Sequence, residues 1–451
     1  MRGPKLIILA LVAVTAAVFI VFWERHQPTS EERRQRADRI FPGLEADEVV
    51  AVDLATGHGP VSLRRGDDGG WRLKAPVEFA ADEVSVRSLL RSLEALEAER
   101  ELPLAETSLA DHGLEEPALS AVLVDGDGRR FELEVGEATP LGDRRAVRRN
   151  GGDEVIITTG AFVANLDREL DHWRSREVVD VLENELAAIE IDAGDDRIHA
   201  VRVDGRWQLL APLEDLAGTR QISSLVSELD TLRVSEFLPA DADPAALGLD
   251  RPEYEVLLIR ADGTDPTTLE LAAPSPDSSP GTVVCRRDGD AIFTVPDSIR
   301  TRLAKAPVLW RSSEVWPFET WDVERLEIAG DGAAIAVERT DLGWQVVGGG
   351  EADEVEVRRR LGALAELEAA EYDLLLPPTP VLGSVTLGLE GDDAGPVVYT
   401  FYAPLEEGGH AVVKVSARDT VMGVKAAPVE SIVGDPGALR SPVAESPATG
   451  E

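Results

Sequence analysis

A self-similarity at a fixed period constrains this chain more than any other feature. Trp71, Trp207 and Trp344 are spaced by 136 and 137 residues, and the first two head the matching phrases WRLKAP (71–76) and WQLLAP (207–212). A proline follows each tryptophan after 32 or 33 residues, at Pro103, Pro239 and Pro377. Upstream, Phe41, Leu44, Val49, Val52 and Leu54 recur as Val178, Val181, Leu186, Ile189 and Ile191, and again as Val315, Phe318, Val323, Leu326 and Ile328. WRSREV (173–178) returns as WRSSEV (310–315), and GLEEP (113–117) as GLDRP (248–252). One offset held over so many apolar positions predicts three tandem units, 47–182, 183–320 and a diverged 321–436. Residues 1–23 and 24–46 precede them as an anchor and a stalk, and 437–451 follow as a disordered tail.

Two periodicities recur within a unit. Val50, Val52 and Leu54 alternate with period two, as do Trp71 and Leu73, so both stretches read as strands. Pro76 lacks the N–H that would continue the second. Val86, Leu89, Leu90, Leu93 and Leu96 form one face of a helix, with Asp82 as its N-cap. Ile222, Leu225, Val226, Leu229 and Leu232 repeat the stripe; Val357, Leu361, Leu364 and Leu367 repeat it again, with Arg360 in one apolar place. The fold class expected is α+β: small antiparallel sheets, each covered by one amphipathic helix. The core residues expected are Trp71, Leu73, Leu89, Leu93, Trp207, Leu209, Leu225, Leu229 and Trp344. An aromatic ligand platform is the functional alternative for the tryptophans.

Residues 6–23 (LIILALVAVTAAVFIVFW) carry no charge, and eighteen residues at ~1.5 Å each reach roughly 27 Å, close to the bilayer's hydrocarbon thickness. The run ends on bulky residues rather than a cleavage site, so an uncleaved single-pass transmembrane helix is expected. Arg2 and Lys5 place the amino terminus inside and the bulk of the chain outside, against a competing cluster at Arg33, Arg34, Arg36 and Arg39. The expected location is a bacterial inner membrane, with the mass of the chain extracytoplasmic (periplasmic), and the membrane itself is a partner.

A net charge of −39 repels phosphate backbones, so nucleic acid is not expected as a partner. The single cysteine, Cys285, excludes an intrachain disulfide and reads as a core residue. No Gly-rich phosphate loop, G-x-S-x-G elbow, HExxH or paired-cysteine spacing occurs. VDGDGRR (124–130) has a calcium-like composition, but RADGT (260–264) keeps only Asp-Gly at the matching place, which favours a hairpin turn. No catalytic residue, metal ligand or cofactor is expected. The charged positions shared between copies are Arg174/Arg311 and Glu177/Glu314. With Trp173 and Trp310 they mark candidate unit-junction contacts, read as an Arg–Glu pair or a helix cap.

Together, the anchor, the W-x-L-x-x-P strand, the Leu-rich helix ending in a proline and the GLxxP turn resemble the bacterial family called domain of unknown function 4340. The likeness covers nearly the whole chain, though the third unit departs from it. The resemblance implies an envelope protein, often encoded beside genes for an ABC transporter of the gliding-motility type. It brings no catalytic residues. The function expected is therefore non-enzymatic: a membrane-anchored extracytoplasmic repeat protein, an accessory or scaffold subunit of an ABC-type transporter complex, with transporter or envelope subunits as partners. The alternatives are an envelope hydrolase acting on polysaccharide through paired carboxylates and an acidic ligand-binding module.

Overall fold

The structure is a computed structural model that describes residues 38–139, 143–239, 241–275, 279–289, 291–330, 332–378, 380–390 and 395–441. The chain divides into two compact units, Met1–Arg176 and Glu177–Glu451.

In the first unit, Val49–Thr56 (β1), Gly59–Arg65 (β2), Trp71–Ala75 (β3), Phe79–Ala80 (β4), Arg100–Pro103 (β5), Leu119–Asp125 (β6), Arg130–Ala138 (β7), Arg144–Arg149 (β8) and Glu154–Thr159 (β9) form one sheet. Its order is β4-β3-β2-β1-β6-β7-β8-β9-β5, and every pair is antiparallel. The two edge strands flank the helix Glu83–Glu94 in sequence, so this single helix carries the chain from one edge of the sheet to the other. Asp82 caps it by accepting from the Ser85 N–H, 2.7 Å away. Its stripe of Val86, Leu89, Leu90 and Leu93 is buried in one cluster with Val52, Leu54, Leu63, Trp71 and Leu73. Ile40, Phe41 and Leu44 lie in that cluster too. The last residues of the expected stalk are thus core, while residues 24–37 of it lie outside the described residues.

The second unit holds two sheets. Leu186–Ala193 (β10), Asp196–Val203 (β11), Arg206–Ala211 (β12), Asp215–Leu216 (β13), Glu236–Phe237 (β14), Tyr254–Arg260 (β15), Thr267–Leu271 (β16), Thr282–Arg287 (β17) and Ala291–Pro296 (β18) give β13-β12-β11-β10-β15-β16-β17-β18-β14. Val323–Gly330 (β19), Ala333–Thr340 (β20), Gly343–Val346 (β21), Ala369–Glu371 (β22), Val381–Leu389 (β23), Val397–Tyr402 (β24), Ala411–Val415 (β25) and Val421–Val424 (β26) give β21-β20-β19-β23-β24-β25-β26-β22. The helices Thr219–Thr231 and Glu354–Ala365 take the place of Glu83–Glu94. The last sheet lacks the short strand after β21. Gly348, Gly349 and Gly350 stand there instead at φ values of +95°, +112° and +106°, a backbone that side chains disfavour. Leu439 is fully buried in the core of this sheet, and Ser441 N–H donates to the Glu351 carbonyl. The first residues of the expected tail therefore belong to the fold, and residues 442–451 lie outside the described residues.

Two expectations are corrected. The fold is not α+β built on small sheets: the described residues are mostly antiparallel β, in three sheets of nine, nine and eight strands. The physical reason is that the strands after the GLxxP turn do not close a second layer. β6, β15 and β23 pair along the open edges of β1, β10 and β19, and the hairpins that follow extend the same sheet. The second correction concerns the membrane. Residues 6–23 lie outside the described residues, and among the described residues no helix is long and apolar enough to cross a bilayer. The helix Thr219–Thr231, at thirteen residues, spans only about 20 Å against a hydrocarbon core of about 30 Å. The single-pass membrane anchor, the membrane as partner, the inner-membrane and periplasmic location, and the transporter or envelope subunits expected there all lose their structural basis.

Candidate functional site

The expected core residues Trp71, Leu73, Leu89, Leu93, Trp207, Leu209, Leu225, Leu229 and Trp344 are all buried, none more than 8% exposed. They pack, and Trp71 and Trp344 each also edge an open cleft among charged side chains, with Arg65, Glu83 and Arg87 in the first unit and Arg339, Glu354 and Arg358 in the second. The junction residues are more varied. Trp173 and Trp310 are fully enclosed, and neither indole N–H has a hydrogen-bond partner among the described residues. Arg174 lies 3.2 Å from Asp171 and 5.7 Å from the centre of the Phe79 ring. Glu177 lies 3.6 Å from Arg233.

Arg311 differs from Arg174 because its surroundings differ. Leu73 pairs with Phe79 in the first sheet, and Leu209 pairs with Asp215 at the same register in the second. An acid thus replaces the ring on which Arg174 rests. The side chains of Asp215 and Arg311 are 1% and 2% exposed, and the Arg311 Nε donates to Asp215 Oδ2 at 2.6 Å. Arg418, in the turn between β25 and β26, is equally enclosed. It grips the same carboxylate twice, through Nε at 2.6 Å and Nη2 at 2.9 Å. Its remaining N–H groups reach the carbonyls of Ser312, Glu314 and Val315. Arg311 continues to Asp373 and to the Thr420 hydroxyl. The Tyr372 ring lies beneath both guanidiniums, 4.4 Å from Arg311 and 5.9 Å from Arg418. Glu314 gives its backbone carbonyl to Arg418, while Arg311 pairs with Asp215 and Asp373 and stands at the C-terminal cap of the short helix Pro307–Trp310.

Burial works against the charge on Asp215, but Arg418 and then Arg311 outweigh it and hold the carboxyl below its ordinary range. Burial likewise opposes the charge on Arg311, and Asp373 and Asp215 more than restore it. A third arginine is enclosed as well. Arg360 occupies the place held by Leu89 and Leu225 and donates to Glu356 at 2.7 Å. Its other groups reach the carbonyls of Ile432, Gly434 and Asp435 at the end of the helix Ala426–Val433. Arg359 chiefly, with Arg360, brings Glu356 down to about 2. Among the described residues, every carboxyl group with a resolved shift moves downward: Asp68, Glu78, Asp125, Asp215, Asp262 and Glu356. Asp125, in the calcium-like stretch, is held by Arg129 and two backbone N–H groups. Among the described residues, no three His, Cys, Asp or Glu side chains converge as metal ligands would.

Sequence reasoning missed Asp215, Tyr372, Asp373, Arg418 and Thr420. One signal was present: an acid at 215 where the copy before it has Phe79.

The family model for the domain of unknown function 4340 matches residues 71–252 and 240–380. These stretches cover more than half of the chain, which belongs to that family. No curated protein matches it.

Proposed function

We propose that the chain is a non-enzymatic tandem-repeat scaffold, an accessory subunit that binds other proteins through the surfaces of its sheets. The observation that carries this reading is the inward use of the Asp215–Arg311–Arg418 cluster. Asp215 accepts from two guanidiniums, and Arg418 donates to one carboxylate and three carbonyls, so no group of that cluster is left to meet a substrate. Its effect is mechanical: it ties β13 of one sheet to the β25–β26 turn of the next. The carboxyl shifts support the same reading against the hydrolase alternative. A glycosidase acid must be held protonated by a raised pKa, and the resolved shifts run the other way.

Affinity capture with the tagged full chain, run beside a hydrolysis screen on envelope polysaccharides, tests the proposal. A stoichiometric protein partner and no turnover are expected. Turnover abolished by substituting two neighbouring carboxylates, or the lack of any stoichiometric partner, would overturn it.

A further inference from the structure

We infer that a cleft in the second unit receives an arginine side chain of a partner protein, at the place where the other two copies of the repeat hold an arginine of their own. The inference rests on the scaffold reading and names where, and with what chemistry, contact is made.

The first strand of each sheet opens at Val49, Leu186 and Val323, which pair with Asp125, Arg260 and Leu389 just before a shift of register. The residue ahead of each opening is an acid: Glu48, Glu185 and Asp322. In the first copy, Arg129 stands 3.3 Å from Glu48 and 2.7 Å from Asp125. In the second, Arg260 donates to Glu185 at 2.9 Å and to the Asp180 carbonyl. In the third, Leu389 occupies the register of Arg260. Among the described residues, no arginine or lysine lies within ion-pair distance of the Asp322 carboxylate.

A cleft of about 690 Å³ opens there. Trp316 and Phe318 stand where the preceding copy has the buried Val179 and Val181, and both rings are only partly covered by the core. They line the cleft together with Asp322, Glu319 and Glu390, against one lining cation, Arg206. The excess of carboxylates selects a cation. The aromatic walls select one that tolerates partial dehydration and can lie flat on a ring while its edge meets a carboxylate. A guanidinium meets both conditions; an ammonium is more strongly hydrated and has no planar face. An aliphatic or anionic group would cover these carboxylates without satisfying them.

The test uses the full chain with its tryptophan indoles ¹⁵N-labelled, the Trp316 signal being identified by its loss in Trp316→Phe. N-acetylarginine amide is the probe, and its neutral isostere N-acetylcitrulline amide is the control. The arginine probe should displace the Trp316 signal saturably, at least tenfold more tightly than the citrulline probe, and leave Trp71 unmoved. Leu389→Arg, which supplies the guanidinium internally as Arg260 does, should weaken the response at least tenfold. Asp322→Asn should do the same, and carries the test if Leu389→Arg does not fold. No saturable displacement, an equal response to citrulline, or indifference to both variants would overturn the inference. A partner captured equally by wild type and Leu389→Arg would remove this cleft from the contact while leaving the scaffold reading intact.

Discussion

The Nε of Arg418 donates to Oδ1 of Asp215 at 2.6 Å across 203 residues of chain. Both side chains are all but sealed from solvent. Removing one guanidinium therefore leaves a buried carboxylate half neutralised. Arg418→Met is expected to cost about 3–5 kcal/mol, read from equilibrium unfolding of the full chain. Replacing the cluster together, by Asp215→Leu, Arg311→Met and Arg418→Met, should cost less than that single change. The apolar set leaves no charge stranded, and the desolvation of the native trio is itself unfavourable. A triple variant less stable than Arg418→Met would reject this account of the cluster.

Glu356 titrates near 2 in the folded chain, against an ordinary value of 4.5, because Arg359 and Arg360 bind its charged form. Its folded value lies below its unfolded one. The stabilisation is therefore complete above about pH 4.5 and disappears as the pH falls through 2. Glu356→Gln should cost about 1.5–3 kcal/mol at pH 7. The gap from wild type should close as denaturant midpoints are followed down to pH 2; a gap that stays constant would show that the charge is not its source.

Trp71 is 7% exposed and packs beneath the helix Glu83–Glu94. Trp71→Ala should cost about 3–5 kcal/mol. Unfolding monitored on the first unit's transition checks this, and a loss below about 1 kcal/mol would remove the indole from the core.

Cys285 is fully enclosed on β17, and burial pushes its thiol up to about 12. The native chain should react with a disulfide reagent at pH 8 only as fast as it opens, and at once in denaturant. Prompt labelling of the native protein would place the thiol at the surface.

Local patterns made part of this molecule readable. The helix stripe Val86, Leu89, Leu90 and Leu93 and the strand pair Trp71 and Leu73 declare their buried faces through periods that depend only on backbone geometry. Arg360, set among apolar residues at one place of that stripe, was visible as an exception. Its partners were not, because the carbonyls of Ile432, Gly434 and Asp435 lie more than seventy residues away. The size of the sheets was equally hidden. Nothing in SAVLVDG or RRFELEVG says whether the hairpin they form stands alone or joins β1, since pairing partners leave no local trace.

The same boundary divides the whole protein. By itself the sequence determined that the chain repeats, where its apolar faces lie and which family it belongs to, because burial periodicity and recurrence are written in neighbouring residues. Only the tertiary structure decided that three long antiparallel ladders result, that Asp215 joins Arg311 and Arg418, and that Leu389 leaves Asp322 beside an open cleft. In a chain with 84 acidic residues, a carboxylate that is buried and paired reads no differently from one in water until the distant partner is brought to it.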